Sequence, residues 1–239
     1  MKIIPILFAL AGLVAFPAIA AESKPQPHAA GIEAKGYVWN KADKEMNAAL
    51  KIQGDPAKGK VAYEVCRGCH KADASGKADA DYPQLAGQHA TVLIKQMADV
   101  RAGRRDSSKM HPFIAKDVIS TEELAHIAAY LRGLPVPTSN GKGVGNNLEH
   151  GKTLYEKDCA SCHGKTGEGD AARFYPMVAS QHYAYLYREN KAIQKKAKSR
   201  RNANPDMVKV IKGYSDSDIA AVSDYMSRLV PPAGSAPRK

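Results

Sequence analysis

After its first sixteen residues the chain has no apolar run approaching the roughly 20 residues that a membrane-spanning helix needs, so the mature protein is expected to be soluble. No stretch alternates apolar and polar residues convincingly, which argues against strands and for an all-α fold. Trp39 is the only tryptophan, and there are only four cysteines. A disulfide framework needs cysteines to spare, and all four fall inside two five-residue motifs that use them in another way. Acid is also in short supply: 24 acidic residues face 35 basic ones, a formal charge of +11.

The two motifs are Cys66-Arg67-Gly68-Cys69-His70 and Cys159-Ala160-Ser161-Cys162-His163. Each reads C-x-x-C-H, the spacing for covalent attachment of a c-type haem. Two thiols on one short turn add across the haem vinyl groups as thioethers, and the following histidine reaches the iron. A four-cysteine zinc site is the rival for such pairs. It fails on spacing, because 89 residues separate Cys69 from Cys159, and it leaves both histidines without a role. Two covalently bound haem c groups are therefore expected, held through Cys66, Cys69 and His70 and through Cys159, Cys162 and His163.

The start of the chain reads as an export signal. Met1-Lys2 is a short basic head, Ile3 to Phe16 is largely apolar, and Pro17-Ala18-Ile19-Ala20 supplies an A-x-A cleavage pattern. Fourteen apolar residues are too few for a retained anchor. Cleavage after Ala20 and a periplasmic location are expected. The mature chain keeps 34 basic and 24 acidic residues, or +10. That charge suits an acidic redox protein or peripheral contact with an anionic membrane surface; nucleic acid is excluded by the exported location.

From Asp55 onward the sequence repeats. Gly59 to Glu64 matches Gly151 to Glu156 at an offset of 92, the C-x-x-C-H motifs match at 93, and Leu85-Ala86-Gly87-Gln88-His89 matches Val178-Ala179-Ser180-Gln181-His182 at 93. Ser120 to Leu134 matches Ser215 to Leu229 at 95. The expected organisation is a signal peptide (1–20), a partly disordered N-terminal extension (21–53), a first domain (54–134), a Pro/Gly-rich linker (135–145), a second domain (146–231) and a disordered tail (232–239). Within the extension, residues 41–51 read as a helix with Met46, Ala49 and Leu50 on one side, a packing arm without chemistry that Trp39 helps to pin. Ser120 with Glu123, and Ser215 with Asp218, fit capping boxes opening the last helix of each domain.

The sixth iron position decides the chemistry, since an open one binds small ligands and a filled one restricts the haem to electron transfer. Met110 lies 40 residues after His70 and Met207 lies 44 after His163, each in a polar, helix-poor stretch between the Gln-His landmark and the capped last helix. Both are expected as ligands, from loops laid over the haem. Met97, Met177 and Met226 lack methionine counterparts in the other copy and read as packing. His111 is a rival to Met110, but no histidine follows His182 in the second copy. Pro83 and Pro176, each 13 residues after the haem histidine, are placed to offer a carbonyl to the imidazole N–H. His89 and His182 read as packing or hydrogen-bonding residues.

Residues 55–231 resemble the cytochrome c4 family, exported dihaem proteins made of two fused class I cytochrome c domains. The resemblance rests on the two C-x-x-C-H motifs, the segments Pro83 to His89 and Pro176 to His182, Arg101-Ala102-Gly103-Arg104-Arg105, and Met110 and Met207. It implies two tandem cytochrome c domains, His/Met ligation at both irons, and electron transfer to a terminal oxidase or reductase of a respiratory chain. Two features depart from it: the extension before Asp55 is long, and a basic run replaces Arg-x-Gly in the second copy. That run, Arg188, Lys191, Lys195, Lys196, Lys198, Arg200 and Arg201 with only Glu189 opposing, reads either as a solvated face or as a docking surface for an acidic redox partner. The alternatives to a plain electron carrier are a subunit or partner of a periplasmic oxidoreductase, for example in thiosulfate oxidation, and a dihaem peroxidase. Peroxidase action needs a haem that opens to substrate. A thiosulfate-oxidising cytochrome would be expected to use an unusual ligand such as cysteine, and none is spare.

Overall fold

The computed structural model describes residues 43–79, 82–196, 200 and 202–232. The expected signal peptide, Trp39, Lys198, Arg201 and the tail from residue 233 lie outside the described residues. What is described is helical, with one isolated bridge between Asp170 and Tyr175 and no strand among the described residues. The chain forms two helical units in tandem. The first holds α1 (Lys44–Lys51), α2 (Pro56–Ala62), α3 (Arg67–His70), α4 (Ala90–Arg101) and α5 (Thr121–Gly133). The second holds α6 (Leu148–Leu154), α7 (Ala160–His163), α8 (Tyr183–Gln194), α9 (Pro205–Ile211) and α10 (Asp216–Arg228).

The repeated Gly-Lys marks the closest helix crossing in each unit. A Cβ on Gly59 would stand 1.9 Å from the His126 carbonyl oxygen of α5, and one on Gly151 2.2 Å from that of Ala221 on α10. Only glycine lets α2 lie on α5, and α6 on α10, at that depth. Tyr63 and Tyr155, both fully buried, follow at the helix ends. Their hydroxyls donate to the carbonyls of Lys71 (2.9 Å) and Gly164 (2.6 Å), pinning the turn just beyond each haem histidine. Both capping boxes are present, with the Ser120 and Ser215 side chains accepting from the N3 amides of Glu123 and Asp218.

The step in repeat offset from 92 to 93 has a structural form. Between Tyr63 and Cys66 lie two residues in a 3₁₀ turn (Tyr63–Val65), whereas between Tyr155 and Cys159 lie three, in a π turn (Tyr155–Cys159). An extra residue inside a helix is absorbed as a π turn, which keeps the flanking turns in place. The second C-x-x-C-H motif is thereby delivered to a position equivalent to the first.

In the described part of the extension, α1 starts at Lys44, capped by Asp43, and buries Met46 and Ala49 in the core of the first unit. It also brings two carboxylates: Glu45 accepts from Arg101 at 2.5 Å, and Asp43 from Arg104 at 2.6 Å. The linker is not a free tether beyond Thr138. Asn140 donates to the carbonyls of Gln181 (2.9 Å) and Ser227 (2.8 Å), and Asp224 accepts from the amides of Gly143 (3.0 Å) and Gly145 (2.7 Å). Its second half is a strap fastened to the second unit.

Candidate functional site

The two C-x-x-C-H motifs fold into short helical turns, α3 and α7, that open onto a shared space between the units. Cys66, Cys69 and His70 from one side, and Cys159, Cys162 and His163 from the other, line one cavity of about 810 Å³. Burial pushes the Cys66 thiol up to about 11 and the Cys159 thiol up to about 12, helped by Cys69 and by Asp158 respectively. Thiol-exchange sites do the opposite, lowering a cysteine pKa to make thiolate. Nothing here activates these sulfurs for exchange, and no disulfide joins them.

Each imidazole is aimed by a proline carbonyl. His70 Nδ1 lies 3.0 Å from the Pro83 oxygen, and His163 Nδ1 2.9 Å from that of Pro176. A carbonyl only accepts, so Nδ1 carries the proton and Nε2 keeps its lone pair for a metal. Burial lowers both histidine pKa values, against the raising effect of the carbonyls, which favours the neutral ligand form. The proline positions expected from sequence do what their spacing implied.

Met110 and Met207 are both half-buried and line the same cavity. Met110 precedes a 3₁₀ turn (His111–Ile114), and His111 is exposed and faces a separate surface hollow. Of the two rivals, only the methionine lines the cavity that the C-x-x-C-H motifs share. Met207 is not in a loop, contrary to expectation: it lies in the first turn of α9. The reason is written in Asn204-Pro205, where Asn204 caps the amide of Asp206 (2.8 Å) and Pro205 fills the first helical position. Met97, Met177 and Met226 also reach the cavity wall, but each is at most 7% exposed and fixed in a packed segment. The large, largely apolar cavity, two cysteine pairs, two aimed imidazoles and two thioethers fit a pair of haem c groups.

Sequence alone missed what Gln88-His89 and Gln181-His182 do. Gln181 accepts from the Gln84 amide and donates to the Gln84 carbonyl, both at 2.9 Å. Gln88 makes the same pair with the backbone of Met177, again at 2.9 Å each. His89 Nε2 lies 2.7 Å from the Glu168 carbonyl and His182 Nε2 2.7 Å from that of Ser75. Gln84 and Met177, and Ser75 and Glu168, are equivalent at the offset of 93. The two units are thus clasped about a local two-fold axis, and the landmark shared by both copies is the clasp.

His182 is held neutral, because its Nδ1 accepts from the Gly141 amide at 3.0 Å while Nε2 donates. Burial depresses the pKa of both His89 and His182, with the carbonyls that accept from them opposing. A histidine depressed in the fold contributes stability that is complete above its unfolded pKa of about 6.5 and is lost as pH falls below it. Acidification from pH 7 to 5 should therefore lower the thermal midpoint of the native protein more than that of His182→Gln. Equal losses in the two proteins would remove His182 as a source of the pH dependence.

Charge gathers between α4 and α8, bridged by residues that follow each helix. Lys95 and Asp99, 3% and 1% exposed, pair at 2.5 Å. Asp99 also accepts from Arg104 (2.7 Å) and from Asn202 of the second unit (2.8 Å). Part of the basic run is spent here as well: Glu189 is approached by Arg105, Arg188 and Arg200 at 2.9–3.2 Å. Lys191 bonds Asp216. Lys195 and Lys196 remain exposed.

The cytochrome c family model matches residues 56–135 and 148–229. The chain is 31% identical over 195 residues to a protein named cytochrome c4 from Azotobacter vinelandii, covering 74% of this chain and 90% of that protein. It is also 31% identical over 199 residues to a thiosulfate dehydrogenase electron acceptor from Stutzerimonas stutzeri, covering 75% and 90%. The crystal structure of reduced recombinant cytochrome c4 from Pseudomonas stutzeri matches with a TM-score of 0.66 at 27% identity, covering 74% of this chain and 100% of that one.

Proposed function

The chain belongs to the cytochrome c4 family, with two cytochrome c domains that carry covalently attached haem c, and from that premise we propose that it is an exported electron carrier of a respiratory chain. The observation that carries the reading is the shared cavity, lined from both sides by a cysteine pair, an aimed histidine and a methionine. Bound there, the haem irons supply reversible one-electron oxidation and reduction. Cys66 and Cys69, and Cys159 and Cys162, anchor the groups. His70 and His163 present Nε2, their rings fixed by Pro83 and Pro176. Met110 and Met207, on the same cavity wall, would be the further iron ligands, and thioether ligation would raise the potentials and disfavour binding of small molecules. The clasp holds the two units, and hence the two sites, in one fixed relation.

The basic rim of the second unit is proposed as the docking face for an acidic partner, an oxidase or a reductase. Within the described residues its exposed charge is reduced to Lys195 and Lys196, with Arg188 half-exposed. Positive charge there would speed encounter more than it deepens affinity. A second reading, delivery of electrons from a periplasmic oxidoreductase, is favoured by the relative named as a thiosulfate dehydrogenase electron acceptor.

An optical redox titration followed by stopped-flow mixing tests both. Two one-electron waves are expected, with no carbon monoxide binding in the reduced protein. Lys195→Glu with Lys196→Glu should slow reaction with an acidic partner several-fold at low salt and leave both waves in place. Ready binding of carbon monoxide by the unaltered protein would overturn the carrier reading in favour of an enzyme.

A further inference from the structure

Arg101 and Gln194 are the last residues of α4 and α8 and are equivalent at the offset of 93. Each reaches the segment that carries its own unit's methionine. Arg101 donates through Nε to the Ile114 carbonyl (2.7 Å) and through Nη2 to that of Ile119 (2.6 Å). Gln194 donates through Nε2 to the carbonyls of Ile211 (3.1 Å) and Tyr214 (2.6 Å). Ile114 and Ile211 each lie four residues after their methionine, and Ile119 and Tyr214 each directly precede the serine that caps the last helix. The two units brace the same stretch at the same two points, one with a cation and the other with a neutral amide.

The two stretches do not depend equally on the brace. Met207 sits inside α9, whose own backbone bonds hold it. Met110 precedes a 3₁₀ turn of four residues (His111–Ile114), and from there to Ser120 no α-helix supports the chain. Ile114 and Ile119, both at most 3% exposed, line the cavity, so freeing their carbonyls loosens the wall on which Met110 sits. The arginine also has a need that the glutamine lacks. Its side chain is 6% exposed, and a charge out of water is costly without a counter-charge. The counter-charge comes from the extension: Glu45 of α1 accepts from Arg101 Nη1 at 2.5 Å and from the Thr121 hydroxyl at 2.9 Å, with the exposed Lys116 3.8 Å away. Helix α1 precedes the residues that the family model matches, which begin at 56.

We propose that Glu45 is a positioning residue for the first haem: through Arg101 it fixes the Met110 segment, so that the extension governs the sixth position of the first iron and not of the second. This rests on the reading of Met110 as an iron ligand. The second unit, with glutamine where the first has arginine, needs no such acid.

The test is uptake of added imidazole by the oxidised, haem-loaded protein, with both potentials measured alongside. Imidazole takes the iron position that a thioether vacates, and Met110→Ala identifies the signal of the first haem. Glu45→Ala should speed uptake at the first haem about tenfold, the scale of a lost charge-assisted hydrogen bond, and leave the second haem unchanged. In the Met110→Ala background the same change should add nothing. Asp43→Asn is the control for anchoring alone, because it removes the other ion pair of α1, with Arg104 at 2.6 Å, without touching Arg101. It should lower the thermal midpoint and leave uptake at the native rate. Arg101→Gln added to Glu45→Ala copies Gln194 and should bring uptake back towards the native rate. Equal acceleration by Asp43→Asn, or no recovery on adding Arg101→Gln, would overturn the proposal, because α1 would then act through packing. A native rate in Glu45→Ala would overturn it as well. Should Glu45→Ala fail to load haem, Glu45→Gln removes only the charge: faster uptake at the first haem upholds the brace, and a native rate refutes it. If Met110→Ala leaves uptake unaltered, the ligand assignment fails and the brace with it, a result read without any change at Glu45.

Discussion

Met207→Ala should convert a reduced protein that excludes carbon monoxide into one that binds one equivalent per chain. One midpoint potential should fall by on the order of 0.1 V, a modest part of the ~0.8 V over which axial ligands tune haem iron. The other should stay within the change expected from a neighbour losing its ligand. The prediction follows from placement: Met207 is half-buried at the cavity wall, and its thioether sits in the first turn of a helix capped by Asn204 and Pro205, which fixes its approach. Met226 supplies the control. It lines the same cavity but is 2% exposed in the core of the second unit. Met226→Ala should cost about 2–5 kcal/mol of stability and leave carbon monoxide excluded. If Met226→Ala opens the iron and Met207→Ala does not, the ligand assignment is reversed. Met110→Ala should do at the first iron what Met207→Ala does at the second, and His111→Ala should do neither.

The second large effect is expected at Asp99. Asp99→Asn removes the carboxylate that pairs with the buried Lys95 ammonium and weakens the hold of Arg104 and Asn202. Breaking one side of a buried pair costs about 3–5 kcal/mol. Burial already lowers the Lys95 pKa, and Asp99 is the main group resisting that shift. Lys95→Met should cost much less, because Asp99 keeps Arg104 at 2.7 Å and Asn202 at 2.8 Å. Guanidinium unfolding of the haem-loaded protein, followed by far-ultraviolet dichroism and by haem absorbance, measures both. Equal costs for the two variants would mean that the pair is valued for packing and not for charge.

Much of this site was legible because it is local. C-x-x-C-H and a serine followed three residues later by an acid are spacings within one or two turns, the proline lies only 13 residues beyond the histidine, and each appears in the fold as read. The two-copy organisation was legible because the repeat is long, and the single-residue change of offset is visible in sequence as the extra residue before Cys159. Partner choice was not legible. Nothing in Gln88-His89 says that its partners are Met177 and Glu168, some 80–90 residues away. Arg188, Lys191 and Arg200 look like one solvated run in sequence because Asp216, which pairs with Lys191, lies on another element, and nothing in the spacing shows that Glu189 gathers both Arg188 and Arg200. Met207 was read into a loop by weighing its polar neighbours above the Asn-Pro start signal that does form a helix.

The clasp is also an interface that could be made between two separate molecules. Each half offers the same glutamine and histidine to the same backbone groups of the other, the pattern of a closed two-fold dimer folded into one chain. Such a surface does not distinguish its own partner half from that of a neighbouring molecule, and exchange between chains is the hazard. The safeguard is the strap from Asn140 to Gly145, fastened to the second half by Gln181, Ser227 and Asp224. It leaves only a few residues after α5 free to wander, so the first half meets its own partner at an effective concentration in the millimolar range that short tethers give. Chains at micromolar concentration compete poorly against that. The linker thus decides which copy is clasped, a choice the clasp residues themselves are too symmetric to make.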